Sequence, residues 1–186
     1  ERVVIGQASA FDSGFRNADG ATLVGLELEA RSSLGRITSA LKSFRLGGNL
    51  SLIWSRVQLS GTAGQLGNAE RPLQGQSPWV ANAFITWSKE DWGTEVGVFY
   101  NVYGPRITEV AVAPVPDFTE QPFHKIDFTV SQTFGPGFSL KLSVANALNQ
   151  SIRITQGNVE VFRYVPGVQF NAALAWALPT TERKQP

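Results

Sequence analysis

The chain of 186 residues contains no cysteine, no methionine and a single histidine, His124. Without thiols there is neither a disulfide framework nor a thiolate metal site. The compartment cannot be read from cysteine, although a cysteine-free chain suits an oxidising exterior. One His without a neighbouring Asp-x-Asp cluster is a poor metal site, so His124 reads as a solvated residue beside Lys125 at the start of a strand. A dominant charge is lacking too. With 16 basic and 15 acidic residues the formal net charge is +1, and no basic patch offers a seat for nucleic acid.

No apolar run approaches the roughly 20 residues of a transmembrane helix. That leaves membrane-spanning strands open, because each needs only about 9 to 11 residues and interleaves polar side chains that flatten its hydropathy. Catalytic constellations are missing as well. The glycine-rich stretch 61–67 lacks the Lys-Ser or Lys-Thr of a phosphate loop, and no Gly-x-Ser-x-Gly elbow occurs. The sequence therefore points to a non-enzyme with no catalytic, metal or cofactor residues. There is no initiating Met and no charged-then-apolar leader, so a chain cut from a longer polypeptide is the expectation.

What the sequence does have is alternation. Phe138-Ser139-Leu140-Lys141-Leu142-Ser143-Val144 is apolar at every second residue, and Lys125 to Ser131 and Glu27 to Arg31 repeat the pattern. Period two places successive side chains on opposite faces of a strand. The rule predicts roughly eight strands, over residues 2–10, 21–32, 46–59, 79–88, 94–112, 125–133, 138–146 and 168–178. The tight turns 89–93 and 134–137 alternate with long polar links over 60–78, 113–124 and 148–166. Residues 35–44, on the short-turn side, can hold a brief helical turn. Short turns on one rim and long loops on the other form the rhythm of an up-and-down outer-membrane barrel.

Charge placement agrees with an apolar face turned to lipid, where a mid-membrane Lys or Arg costs about 2 to 4 kcal/mol. Glu27, Glu29 and Arg31 oppose Val24, Leu26 and Leu28. Glu95 and Asn101 oppose Val96, Val98, Tyr100 and Val102. Lys125, Asp127 and Lys141 likewise sit opposite their apolar rows. These eight are candidates for the barrel lumen. Arg56 shares the parity of Leu50, Leu52 and Trp54, at the rim where its strand leaves for a loop. Trp79 and Trp87 share a parity eight residues apart, which at ~3.4 Å per residue and ~45° tilt projects to roughly 20 Å. That approaches the ~25 Å apolar band between two aromatic girdles. Trp87, Trp92 and Trp176 would mark the short-turn rim, with Trp54 and Trp79 at the other. A soluble β-sandwich with the tryptophans in its core remains open, since it too alternates.

Five segments resemble the C-terminal barrel portion of TonB-dependent receptors. They are the strand Ala21-Thr22-Leu23-Val24-Gly25-Leu26-Glu27-Leu28-Glu29 after Asn17, and Arg71-Pro72-Leu73-Gln74-Gly75-Gln76-Ser77-Pro78-Trp79-Val80-Ala81-Asn82. Tyr100-Asn101-Val102-Tyr103-Gly104-Pro105-Arg106-Ile107 follows, then Asp117 to Ser131 with Glu120-Gln121-Pro122. The last is Phe138 to Asn146 with its exit Ala147-Leu148-Asn149.

The resemblance implies a location in the outer membrane of a Gram-negative bacterium, in contact with its lipid. It implies that residues 1–178 are the C-terminal part of a 22-stranded barrel; residues 179–186 depart from the family, which usually stops at a terminal aromatic, and read as a short polar tail. Such receptors hold a plug domain inside the barrel and couple to TonB through an N-terminal part, both absent here. They import a large or scarce nutrient such as a metal chelate or a glycan. Arg106 reads either as a contact for an anionic ligand or as a structural residue at a strand exit. The alternatives in function are an independent small eight-stranded outer-membrane barrel acting as anchor or adhesin, and a soluble β-sandwich binding module.

Overall fold

The computed structural model describes residues 2–7, 10–15, 20–58, 70–111, 114–135 and 137–177, with side chains for 20–58, 71–111, 114–135 and 137–177. Its regular structure is strand, interrupted by short 3₁₀ turns. In chain order the strands are β1 (Arg2–Gln7), β2 (Ala10–Phe15), β3 (Gly20–Ser33), β4 (Phe44–Gln58), β5 (Glu70–Arg71), β6 (Trp79–Lys89) and β7 (Thr94–Tyr103). There follow β8 (Arg106–Glu109), β9 (Phe118–Glu120), β10 (Phe123–Phe134), β11 (Phe138–Ala145), β12 (Ile152–Gln156), β13 (Val159–Tyr164) and β14 (Gln169–Trp176). No helix among the described residues is long and apolar enough to cross a membrane, which says nothing of strands.

The large sheet runs β3-β4-β6-β7-β10-β11-β14, each strand antiparallel to the next, with β5 paired to the far end of β4. Long strands thus neighbour one another in sequence order, as a meander. A second sheet, β8-β9-β12-β13, grows from the long connections, and β1 and β2 form a separate hairpin.

The short-turn rim follows local chemistry. Residues 34–41 form two 3₁₀ turns, Leu34–Arg36 and Ser39–Leu41, the first capped by the Ser33 hydroxyl, which accepts from the Gly35 N–H at 3.3 Å. This is the brief helical turn that the sequence allowed. Glu90–Trp92 makes a third and ends on Gly93, at φ 65°. A side chain there would lie 2.7 Å from the Thr133 carbonyl oxygen, so this turn needs glycine twice over.

The structure departs from the predicted strands where the outer connections begin. The segment expected as one strand over 2–10 ends at Gln7 and pairs with Ala10–Phe15. The strand expected over 94–112 breaks at Gly104 and Pro105: proline has no N–H for a ladder, and the Gly104 N–H turns to the Trp79 carbonyl at 2.9 Å. The links over 113–124 and 148–166 carry β9, β12 and β13. Residues 60–69 of the third link, the glycine-rich stretch within it, and the tail 179–186 lie outside the described residues.

Packing separates this fold from a sandwich. Two sheets stacked face to face would enclose a continuous apolar core. Here the buried apolar side chains among the described residues are Val57, Val102, Val110 and Phe123, and no large side chain is fully buried. Leu26, Leu52, Phe128, Leu142 and Leu174 instead remain 42–70% exposed.

Candidate functional site

Directly paired residues of an antiparallel ladder point to one face, so the register sorts side chains across the whole meander. One row, Ser32-Leu46-Ile85-Val98-Phe128-Val144-Phe170, crosses seven strands. The next, Phe44-Trp87-Val96-Val130-Leu142-Ala172, repeats the composition on the same face. Every strand contributes its apolar parity to this face.

Glu27, Glu29, Arg31, Glu95, Asn101, Lys125, Asp127 and Lys141 all fall on the opposite face. The structure joins several of them through residues that the sequence reading passed over. Glu29, Asn49, Asn82, Asn101 and Lys125 form one row through five strands. Within it the Asn101 amide donates to Asn82 Oδ1 at 2.5 Å, and the Asn82 amide donates to Asn49 Oδ1 at 2.7 Å. Ion pairs close both ends: Arg31 Nε lies 2.5 Å from Glu29 Oε1, and Lys125 Nζ 2.7 Å from Asp127 Oδ2. Glu95 and Lys141 share a different row, on either side of Ser131. The Phe84 ring lies over Gly47, where an added Cβ would approach it to 2.6 Å, and its centroid is 6.2 Å from that of Phe99. Asn49 and Asn82 were visible as polar residues of the correct parity; their alignment depends on register.

Trp54, Trp79, Trp87 and Trp176 belong to the apolar face, and Trp92 sits in the 3₁₀ turn below it. At the short-turn end Trp92 meets Trp87 edge-on at 6.3 Å, and Trp176 stands in register with Phe138 and Phe134. At the other end Trp79 pairs with Leu52, and Tyr100 stacks on His124, its hydroxyl 2.7 Å from Nδ1.

Beyond that end three polar knots bind the outer strands to the meander. In the first, Arg106 donates from Nε and Nη2 to the Glu120 carboxylate at 3.1 and 3.0 Å, while the Tyr103 hydroxyl donates to the same carboxylate. The guanidinium also lies 4.5 Å above the Tyr103 ring. Of the two sequence readings of Arg106, the structural one therefore describes its contacts: its charge is committed to a buried carboxylate.

The second knot is Asn146, 4% exposed and left-handed at φ 53°. Its backbone N–H donates to Asp127 Oδ1, its side-chain amide to the Gln150 and Gly167 carbonyls, and its Oδ1 accepts from the Gln150 N–H. The Asn-Ala-Leu-Asn exit is thus a turn, closed by the Asn149 N–H on the Asn146 carbonyl at 2.8 Å. The third is segment 71–78. Arg71 is buried at its start, and that burial pushes its guanidinium pKa down while Asp117 pulls it back up. Among the described residues no three His, Asp or Glu side chains gather as a metal site.

Comparison with known proteins gives one family. The profile described as TonB dependent receptor-like, beta-barrel matches residues 3–147. No curated protein and no solved structure matches the chain.

Proposed function

The chain belongs to the TonB-dependent receptor β-barrel family, and from that premise we propose that residues 1–178 form part of the wall of an outer-membrane receptor for energised nutrient uptake. Its cargo is a solute too large or too scarce for passive pores, a metal chelate or a glycan. The apolar face of the seven-strand meander meets lipid. Trp54, Trp79, Trp87, Trp92 and Trp176 sit in its two interfacial belts, where an amphipathic ring has one apolar and one wet side.

On the other face Glu27, Glu29, Arg31, Glu95, Asn101, Lys125, Asp127 and Lys141, with Asn49 and Asn82, line a hydrated lumen that holds the plug. The outer strands β8, β9, β12 and β13 take part in capture. The plug then moves under energy delivered through TonB, in parts of the receptor other than these strands.

One observation carries this reading: an apolar row in register across seven strands, whose side chains stay exposed with no second sheet among the described residues packed over them. Left in water, such a face would be an aggregation surface. Uptake of labelled ferric chelates and oligosaccharides by cells bearing the receptor provides the test. Removing residues 148–166 should abolish capture at the cell surface. Collapsing the inner-membrane proton gradient should stop uptake while surface binding persists. Uptake that survives that collapse would overturn the proposal.

A further inference from the structure

The sheet has a notch to which the transport reading assigns no ligand. Strand β6 begins at Trp79 opposite Leu52, whereas β4 runs on to Gln58 and meets β5 only at its last two residues. Residues 53–56 therefore have β3 on one side and segment 72–78 on the other. That segment is fastened across the gap. The Ile53 N–H donates to the Pro78 carbonyl at 2.8 Å, the Leu73 N–H to Ser55 Oγ at 2.9 Å, and the Gly75 N–H to the Ile107 carbonyl at 2.7 Å. The Gln74 amide adds a bond to the Thr108 carbonyl at 2.6 Å.

Between these fastenings lies a cleft of about 300 Å³, walled by Trp54, Pro72, Pro105, Ile107, Thr119 and Gln76 among others. This volume is at the small end for ligand sites, room for one ring or two fused rings. Its walls are held by strands, prolines and cross-gap hydrogen bonds, so a ligand would not have to order them.

The lining defines the ligand's chemistry. Prolines bring no N–H to the walls, and Trp54 and Ile107 supply aromatic and aliphatic surface. Arg106 borders the cleft, but its charge is matched by Glu120 through two hydrogen bonds, so an anion gains little there. One polar group stands out. Gln76 Oε1 is buried and has no hydrogen-bond partner, an arrangement that native structures seldom leave unanswered. Gln76 lines the cleft and its terminal amide torsion is broad and roughly two-fold, so turning the amide over brings this oxygen towards the cleft.

We propose that the cleft between β4 and β8 binds a small, neutral, flat and largely apolar molecule carrying one N–H or O–H donor, which Gln76 accepts. This goes beyond the transport reading and stands without it. Indole and indene, nearly equal in shape and differing in the N–H, are the probes. Binding to the full chain in detergent micelles is measured by saturation-transfer NMR, with micelles alone as the blank.

Indole should bind about fivefold more tightly than indene, the margin of one neutral hydrogen bond. Gln76→Leu should reduce indole to the level of indene, and Ile107→Trp, which fills the cleft, should remove both. Equal binding of the two probes to the unaltered chain would overturn the proposal, as would no binding above the micelle blank. The probe comparison needs no variant to fold.

Discussion

Asn146 permits a prediction whose parts can be worked out separately. Replacing it with Ala removes three side-chain hydrogen bonds, two to carbonyls and one from the Gln150 N–H, at a site 4% exposed. At about 1 kcal/mol net each, that is about 3 kcal/mol. Ala must also adopt φ 53°, which adds about 1 kcal/mol over a residue that tolerates the left-handed region. Asn146→Ala should therefore cost about 4 kcal/mol. Asn146→Gly loses the same bonds but not the backbone fit, and should cost about 0.5 to 1 kcal/mol less. Asn146→Asp keeps the acceptor but turns a carboxylate oxygen onto the Gln150 and Gly167 carbonyls at a buried site beside Asp127, and should cost at least as much as Ala. The backbone bond to Asp127 survives in all three. Reversible urea unfolding in detergent, followed by tryptophan fluorescence, supplies the numbers. A loss below about 1 kcal/mol for Ala, or Gly no better than Ala, would refute the assignment of this turn as a hydrogen-bonded staple.

Further outcomes follow from other contacts. Glu120→Leu should cost about 3 kcal/mol by leaving Arg106 half-buried without its carboxylate, and the double change Glu120→Leu with Arg106→Met should recover more than half of that in a double-mutant cycle. Gly48→Ala drives a Cβ to 2.6 Å from the Asn82 carbonyl oxygen, whereas Gly47→Ala meets a Phe84 ring that can swing aside. The unfolding midpoint should fall further for Gly48→Ala, by a loss of about 1 to 3 kcal/mol. Hydrogen bonds from Arg163 hold the Glu160 carboxyl below its ordinary 4.5. A lowered folded pKa adds stability above the unfolded value, and that stability is lost as pH falls through the lowered one. Protection of the β13 amides, taken relative to their intrinsic exchange rate at each pH, should therefore fall below about pH 4, and Glu160→Gln should flatten the response.

The meander was legible because a half-buried strand records its two environments in every second residue. Leu140, Leu142 and Val144 against Lys141 and Ser143 suffice to fix a strand and its faces. The outer strands were hidden for the converse reason. Val159-Glu160-Val161-Phe162-Arg163-Tyr164 is exposed throughout and alternates poorly, so β13 reads as a polar link until its pairing with β12 is seen. Candidate lumen residues came out of parity one by one. The Asn49-Asn82-Asn101 chain did not, because hydrogen bonds between strands depend on register, and register is set by turns that composition alone does not measure. Arg106 shows the same limit. Its partner Glu120 lies 14 residues away across a hairpin, and only the fold shows that its charge is already matched.

The central claim is that the row Ser32-Leu46-Ile85-Val98-Phe128-Val144-Phe170 faces lipid and the asparagine row faces water. Because the chain has no cysteine, single cysteines can be introduced one at a time over residues 80–87 of β6 and 124–131 of β10. Nitroxide labels in the receptor, reconstituted in bilayers, then report collision with oxygen, which concentrates in lipid, and with a water-soluble nickel chelate. Oxygen should dominate at 81, 83 and 85 in β6 and at 126, 128 and 130 in β10, and nickel at the residues between. Equal accessibility at odd and even positions, or the opposite phase, would contradict the account.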